Sequence, residues 1–199
     1  PITTEDVLNS PMICSPLHML EIVMPCMGGA AVVVTSKEKA AKTKNRPVYV
    51  VGGGENTTHR SVTYEPDFTH SPIKAASDRA WAMSGLKPKD IDLASLYDCY
   101  TITVLLTLED TGFCGKGEAG RFVMEHDLTY KGDFPMNTHG GQLSFGQAGI
   151  AGGMSHVTEA VLQLQGRAGD RQLRKCDTAF VNGNGGIMSE QVSIILRGA

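Results

Sequence analysis

A short polar break between two apolar runs in the middle of the chain constrains the fold more than any other feature of the sequence. Residues 91–96 have the length and weak alternation of a β-strand, and residues 102–106 fit a mostly buried helix. Between the runs lies Tyr-Asp-Cys-Tyr at residues 97–100, which we call the junction tetrapeptide. Side chains at a strand-to-helix junction lie at the end of a sheet, where α/β folds keep their sites. The break therefore predicts an α/β fold with a site at the tetrapeptide.

The distribution of glycine is the second constraint. The chain has 23 glycines in 199 residues, and they concentrate at residues 52–54, 140–153 and 183–186. Such clusters favour tight turns and close backbone approach to a ligand over flexible linkers. Two clusters belong to runs that begin with asparagine, at residues 137–141 and 182–186. We expect both runs to contribute to the site.

Apolar periodicity predicts five strands interleaved with helices. The strands are expected at residues 28–36, 48–52, 91–96, 178–181 and 187–196, and the glycine turn before the last one predicts an antiparallel hairpin. Helical spacing predicts helices at residues 71–85, 101–110, 117–126 and 153–166, with shorter segments at 1–9 and 37–44. The predicted fold is an α/β layered domain with a mixed five-stranded sheet covered by helices.

Composition argues against several classes of function. Hydrophobic residues make up 41% and charged residues 20%, as in ordinary soluble domains. The net charge is −3, the pI is near 6.1, and lysine and arginine cluster only at residues 37–46, which argues against nucleic acid as a partner. No apolar stretch approaches the roughly 18 residues that span a bilayer, and no signal pattern opens the chain, so we expect no membrane partner.

The five cysteines bear on the compartment and on metals. Their number is odd and no pair has Cys-x-x-Cys spacing, so neither a disulfide framework nor a zinc ribbon is expected. A metal site built from Cys99, His126, His139 and His156 would also lack ligand spacing. We therefore expect a cytoplasmic protein without a metal.

Several segments, taken in order, resemble the thiolase superfamily. Residues 1–8 followed by residues 28–36 are similar to the end of the thiolase N-terminal half, where a short helix precedes a strand of glycine, alanine and valine. Residues 84–92 resemble the lead-in to the first site motif of the C-terminal half. The resemblance is greatest to the sterol-carrier-protein-type thiolases, whose motif is His-Asp-Cys-Phe where this chain has Tyr-Asp-Cys-Tyr. It implies that residues 1–46 end the N-terminal half and that residues 47–199 form the C-terminal domain.

The resemblance also implies a function. Such enzymes act on acyl-CoA thioesters and make or break a carbon–carbon bond beside the thioester, which implies an acetyl-CoA acyltransferase-like enzyme in lipid or related catabolism. The coenzyme A thioester is the substrate, and no other cofactor is implied. The family's nucleophilic cysteine lies in the first half and is absent here. A homo-oligomer is expected, and the missing N-terminal half or a small partner protein is a candidate partner.

Three residues are candidates for catalysis. Cys99 matches the motif cysteine that sterol-carrier-protein-type thiolases use in proton transfer, although a small buried hydrophobic residue is the alternative. Tyr97 replaces the motif's first residue and resembles the thiolase-like aldolases, which cleave β-hydroxyacyl-CoA and work with a small partner protein. Its phenol could donate or hold a proton, or simply pack under the loop. His139 could act in place of a missing base or serve as a turn residue.

Five further residues are candidates for binding the substrate oxygen. The family's "GHP" histidine falls on Gln147, beside Gly146, and a glutamine donates a hydrogen bond but takes up no proton. The family's C-terminal cysteine turn corresponds to Asn182, Gly183 and Gly185, whose backbone could form half of an oxyanion hole or only a tight turn. These losses leave two classes of function open: a thiolase-like or aldolase-like enzyme, and a non-catalytic module that binds an acyl-CoA or a partner.

Overall fold

The computed structural model describes residues 2–186 and 188–199 and is built on a four-stranded sheet. The strands are β1 (Met12–Cys14), β2 (Leu17–His18), β3 (Val48–Thr57), β4 (Leu93–Ser95), β5 (Thr178–Gly185) and β6 (Glu190–Gly198). The main sheet has the order β3-β6-β5-β4, with β6 antiparallel to β3 and β5 and with β4 parallel to β5. β1 and β2 form a separate antiparallel pair.

Seven helices are present in the part of the chain that the structure describes. They are α1 (Thr4–Leu8), α2 (Lys37–Ala40), α3 (Ile73–Ser84), α4 (Thr101–Asp110), α5 (Ala119–Glu125), α6 (Gly141–Phe145) and α7 (Gly152–Leu164). Short 3₁₀ turns lie at Met19–Glu21, Val62–Tyr64, Pro88–Asp90, Gly149–Ala151 and Gly169–Arg171. The predicted mixed α/β sheet covered by helices is confirmed. Within residues 2–186 and 188–199, no helix combines the length and apolar character needed to cross a bilayer.

The predicted fifth strand, at residues 28–36, is wrong. These residues have no regular structure, and Val33 and Val34 are 95% and 89% exposed. Valine-rich sequence favours a strand only where a neighbouring strand supplies the backbone partners, and within the described chain nothing pairs with this segment. The main sheet therefore has four strands.

The hairpin at the C-terminus is confirmed, but its turn lies later than predicted. Asn182, Gly183 and Gly185 belong to β5, where Gly183 pairs with Val192 and Gly185 with Glu190. Backbone pairing continues to Gly185, so the connection to β6 begins only at Gly186, the last residue of the run. The predicted strand start at Ile187 lies outside the described residues, as does Pro1 at the predicted start of the first helix.

The sheet separates two apolar clusters, which makes the domain three-layered. One face of the sheet packs on α3, α4 and α5, and its cluster includes Ala80, Leu96, Val104, Leu108, Phe180 and Ile195. The other face packs on α7, and its cluster includes Leu93, Ala160, Leu164, Ala179, Val181 and Leu196. Successive residues of β5 alternate between the clusters, as the two-residue period of a strand requires. Trp81 of α3 stacks on Phe180 with ring centroids 5.0 Å apart. α3 packs so closely on β3 that a Cβ at Gly54 would overlap the carbonyl oxygen of Ala76.

Candidate active site

The junction tetrapeptide connects β4 to α4 at the carboxyl end of β4, where the sequence places it. Tyr97 is nevertheless only 7% exposed, and Cys99 is half-buried. The Tyr97 backbone N–H donates to the side-chain oxygen of Asn182 on β5, at 3.3 Å. The contact between β4 and β5 thus extends beyond their backbone pairing, through this side chain, to the connection that follows β4.

The phenol of Tyr97 lies against Gln147. The Gln147 side-chain amide donates a hydrogen bond to the phenol oxygen at 2.8 Å. Burial raises the pKa of Tyr97 to about 12, the neighbouring Cys99 and Asp98 act in the same direction, and a hydrogen bond from the Gln142 side chain acts in the opposite direction. Tyr97 is therefore a protonated phenol at neutral pH, with its oxygen held by an amide donor.

Asp98 fastens the tetrapeptide to α6. Its carboxylate accepts the backbone N–H groups of Gln142 at 2.9 Å and Leu143 at 3.3 Å, and it lies 3.3 Å from His156 Nε2. A Cβ at Gly141 would overlap the Asp98 carboxylate, and Gly141 also has a φ of +68°. Glycine is thus required there on both counts.

Cys99 carries a neutral thiol. Burial raises its pKa, and the Asp98 charge acts in the same direction against a weak contact of Sγ with Thr103 Oγ1 at 3.9 Å. A nucleophilic cysteine requires a lowered pKa. The geometry therefore fits a proton donor or a packed side chain better than an activated nucleophile.

The glycine-rich run at residues 137–141 lies beside the tetrapeptide. The Asn137 side chain pairs with the backbone of Leu96, and the backbone N–H of Asn137 donates to the carbonyl oxygen of Ala94 in β4. His139 packs its ring 5.2 Å from those of His156 and Phe145. Within the described part of the chain, neither of its buried ring nitrogens has a hydrogen-bond partner. Burial and the neighbouring His156 lower the pKa of His139 to about 4, so its ring is neutral at pH 7.

The predicted oxyanion residues fall into two groups. Gln147 and Gly146 both follow α6, but only the Gln147 amide contacts the Tyr97 phenol, whereas Gly146 lies against Cys26 and Met24. The Asn182 side chain, by contrast, is fully used inside the protein, since its Nδ2 donates to Gln191 and Val192 while its oxygen accepts from Tyr97. Gly183 and Gly185 lie in a paired strand rather than in an open turn.

Sequence reasoning missed the segment that crosses the site. Residues 22–26, which we call the crossing segment, contact both the junction tetrapeptide and the stretch that follows α6. Val23 N–H donates to Cys99 O at 3.0 Å, and Gln147 N–H donates to Met24 O at 2.8 Å. Cys26 N–H donates in turn to Gln147 O at 3.0 Å. These are backbone contacts, which any residue type can make, so no local pattern signals them.

Sequence reasoning also missed the roles of Ser95, Gln142 and His156, all fully buried. Only His156 has a signal in the sequence that could have revealed its role. On α7, the polar residues His156, Glu159 and Gln163 recur at helical spacing on the buried face, together with Ala160 and Leu164. Polar residues at such positions need internal partners. Among the described residues, no group of three or more His, Cys, Asp or Glu side chains is arranged to hold a metal.

Three comparisons relate the chain to known proteins. The thiolase C-terminal domain-like family matches residues 54–198. The chain is 41% identical over 171 residues to the 17-hydroxy-3-oxo-4-pregnene-20-carboxyl-CoA lyase of Mycobacterium tuberculosis, covering 83% of this chain and 44% of that protein. It is 34% identical over 187 residues to the acetyl-CoA acetyltransferase of Methanothermobacter thermautotrophicus, covering 93% and 49%. The structure of the Ltp2-ChsH2(DUF35) aldolase superposes with a TM-score of 0.84 at 33% identity, covering 100% and 52%. The chain spans about half the length of the curated relatives it matches.

Proposed function

The chain belongs to the thiolase C-terminal domain-like family, and we propose that it supplies the proton-transfer part of a site that cleaves a carbon–carbon bond in a β-hydroxyacyl-CoA. The observation that carries the proposal is the hydrogen bond from Gln147 to the buried Tyr97 phenol. In thiolases a histidine occupies the position of Gln147 and moves a proton. Glutamine cannot do so, which leaves Tyr97 as the titratable group at this place.

The proposed reaction is a retro-aldol cleavage. The β-hydroxyl gives up its proton, and the bond between the α and β carbons breaks. Its electron pair passes to the α-carbon as the enolate of the thioester, while the β-carbon becomes a carbonyl. Protonation of the α-carbon completes the shortened acyl-CoA. Atoms and charge balance without an oxidant or reductant.

Tyr97 serves both proton transfers in this proposal. Its neutral phenol gives its proton to the α-carbon as the carbon–carbon bond breaks, and in the same concerted exchange the phenol oxygen takes up the β-hydroxyl proton, so the side chain is unchanged at the end. The Gln147 amide stabilises the negative charge that gathers on the phenol oxygen during the exchange. Cys99 and His139 enter as secondary groups: a neutral thiol in the same tetrapeptide, and a neutral ring whose nitrogens are unused within the described chain.

The named relatives support the lyase reaction over acyl transfer. Two similar proteins carry the names of a carboxyl-CoA lyase and an aldolase. Acyl transfer of the thiolase type is the second candidate, because the archaeal acetyltransferase matches 93% of the chain and Cys99 is retained. Gln147 stands where the family has its histidine base, and a glutamine takes up no proton, so we place this candidate second. A partner chain, either a small protein or the other half of a thiolase subunit, is part of the proposal for both reactions.

The test compares two tyrosines of one tetrapeptide. Tyr97→Phe and Tyr100→Phe are made in the longest chain that the gene encodes, with any co-encoded partner, and cleavage of β-hydroxyacyl-CoA substrates is followed by product analysis. Tyr97→Phe is expected to lower kcat by roughly 100-fold or more, the scale of a lost general acid–base. Tyr100, which is 39% exposed, should tolerate the change.

Three results separate the alternatives. Full activity of Tyr97→Phe would remove Tyr97 from the chemistry. CoA-dependent thiolysis of a 3-oxoacyl-CoA without any retro-aldol product would favour the acyltransferase. Absence of both activities, with acyl-CoA binding retained, would favour a binding module.

A further inference from the structure

A buried acid–histidine pair lies directly behind the proposed proton-transfer group. Asp98 is 4% exposed and His156 is fully buried, and Asp98 Oδ1 lies 3.3 Å from His156 Nε2. Asp98 is the chain neighbour of Tyr97, whereas His156 comes from the buried face of α7. The proposed reaction uses neither side chain, although burying a carboxylate is costly unless it is well partnered.

The carboxylate of Asp98 fixes the start of α6. The N–H groups of Gln142 and Leu143 both donate to it, so α6 begins against the tetrapeptide rather than against solvent. Gln147 lies two residues beyond the end of α6. Any shift of α6 therefore moves the amide that holds the Tyr97 phenol.

The hydrogen bonds of His156 assign its tautomer. A carboxylate only accepts, so the contact with Asp98 requires a proton on Nε2, and Nδ1 then accepts from the Ser95 hydroxyl at 3.0 Å. The Gln142 amide lies 3.2 Å from the same Nε2, and within the described residues its oxygen has no partner. Turning that amide over would let its oxygen share the Nε2 proton with the Asp98 carboxylate.

We infer that Asp98 and His156 are positioning residues that hold the Gln147 amide on the Tyr97 phenol. Together with Ser95 and Gln142, the pair joins the end of β4, the tetrapeptide, α6 and α7 at one buried point. Neither residue touches the reacting atoms in this arrangement. The catalytic consequence rests on the proposed function, whereas the positioning itself does not.

The pair also leaves a signature on Tyr97 itself. The negative charge of Asp98 is one of the causes that raise the pKa of Tyr97, after burial and Cys99. Neutralising Asp98 removes this contribution and lowers the pKa, while freeing the Gln147 amide removes a donor to the phenolate and raises it. His156→Phe leaves the Asp98 charge in place, so a raised Tyr97 midpoint in that variant reports the loss of positioning rather than the loss of a charge.

The experiment uses Asp98→Asn and His156→Phe, with His156→Gln as the conservative variant and Asp110→Asn as the matched control. Asp110 is also a buried carboxylate that accepts a backbone N–H, from Ser71, but it lies at the far end of α4. Tyr97 titration is read as phenolate absorbance against a Tyr97→Phe blank. The Gln147 side-chain amide is followed by NMR.

We expect Asp98→Asn to lower the Tyr97 titration midpoint and to shift the Gln147 amide resonance. We expect His156→Phe to shift the amide resonance and raise the midpoint, and His156→Gln, which keeps a donor, to restore much of both. Where cleavage is measurable, kcat should fall by about tenfold or more with little change in KM, and Asp110→Asn should change none of these readouts.

An unchanged Tyr97 midpoint and an unchanged Gln147 resonance in a folded Asp98→Asn or His156→Phe protein would overturn the inference. If neither variant folds, Ser95→Ala, which removes one hydroxyl, takes their place: a shifted Gln147 resonance supports the inference and an unshifted one overturns it. If the variants shift the Gln147 resonance but the wild-type protein has no cleavage activity, the positioning inference stands and the proposed function is contradicted.

Discussion

The side-chain amide of Asn137 pairs with both backbone groups of Leu96. Leu96 N–H donates to the amide oxygen at 2.8 Å, and the amide nitrogen donates to the Leu96 carbonyl at 2.9 Å. Asn137 adopts a φ of 45°, a left-handed conformation that asparagine tolerates better than most residues. The side chain thus acts as a further backbone partner for the chain that leaves β4, one residue before Tyr97.

Asn137→Asp should therefore destabilise the fold. The change removes the donor to the Leu96 carbonyl and places a carboxylate oxygen against it, so we expect the free energy of unfolding to fall by about 1–3 kcal/mol. Urea denaturation followed by circular dichroism measures the loss. The exposed Asn45→Asp adds the same charge at the surface and should be near neutral; equal losses in the two variants would contradict the pairing.

Gly141→Ala and Gly120→Ala should change stability in opposite directions. At Gly141 the added Cβ overlaps the Asp98 carboxylate and the backbone φ is +68°, so a loss of about 1–3 kcal/mol is expected. Gly120 lies in α5 with nothing within 4 Å of an added Cβ, and alanine there should stabilise by roughly 0.5–1 kcal/mol. Thermal unfolding of the two variants tests the contrast, which fails if Gly141→Ala melts at or above the wild type.

His139 should make stability depend on pH in the acid range. Its pKa is 6.5 ordinarily and about 4 in the folded protein, mainly because of burial. Between these values the unfolded chain binds the additional proton, so the free energy of unfolding falls as the pH drops from about 6.5 to about 4. His139→Phe keeps a ring and removes the titrating group, which should flatten the curve. Exposed His70→Gln is the control, and an equal flattening there would refute the assignment.

The cysteines should differ in their reactivity toward a thiol reagent. Cys26 is exposed, whereas Cys99 is half-buried with a raised pKa. Burial raises the pKa of Cys176 to about 12, so it should react only on unfolding. Mass spectrometry of peptides after timed labelling at pH 8 gives the order Cys26, Cys99, Cys176. Faster labelling of Cys99 than of Cys26 would contradict the burial and the raised pKa of the Cys99 thiol.

The elements that could be predicted are those whose signals are local. The break at residues 97–100 marks the β4-to-α4 connection, and Gly85, with a φ of 69°, ends α3 as the sequence indicates. Residues 28–36 mislead because a valine-rich run specifies a strand only in the presence of a neighbouring strand. The glycine run at residues 182–186 misleads in a different way. It predicts a turn, but Gly183 and Gly185 are paired in β5, so the turn of the last hairpin lies later.

The candidate site was predictable in its residue types but not in their connections. Tyr97 and Gln147 could each be singled out from the sequence. No feature of the sequence, however, indicates that the Gln147 amide donates a hydrogen bond to the Tyr97 phenol. The crossing segment contributes backbone groups alone, which carry no residue signature. His156 looked like a possible metal ligand from its type, and only its neighbours Asp98 and Ser95 give it a different task.

The groups that meet at Tyr97 come from stretches that are far apart along the chain: the crossing segment, the junction tetrapeptide, α6 and Asn182. The pairing of Leu93 with Ala179 closes the loop that brings the last of them into place. Closing so long a loop costs chain entropy before the new contacts offset it, so we expect this step to come late in folding. A nascent chain that has not yet released residue 182 from the ribosome lacks the acceptor for the Tyr97 N–H. We therefore expect the site to form only once β5 has paired with β4, so that its appearance reports the formation of this long-range contact.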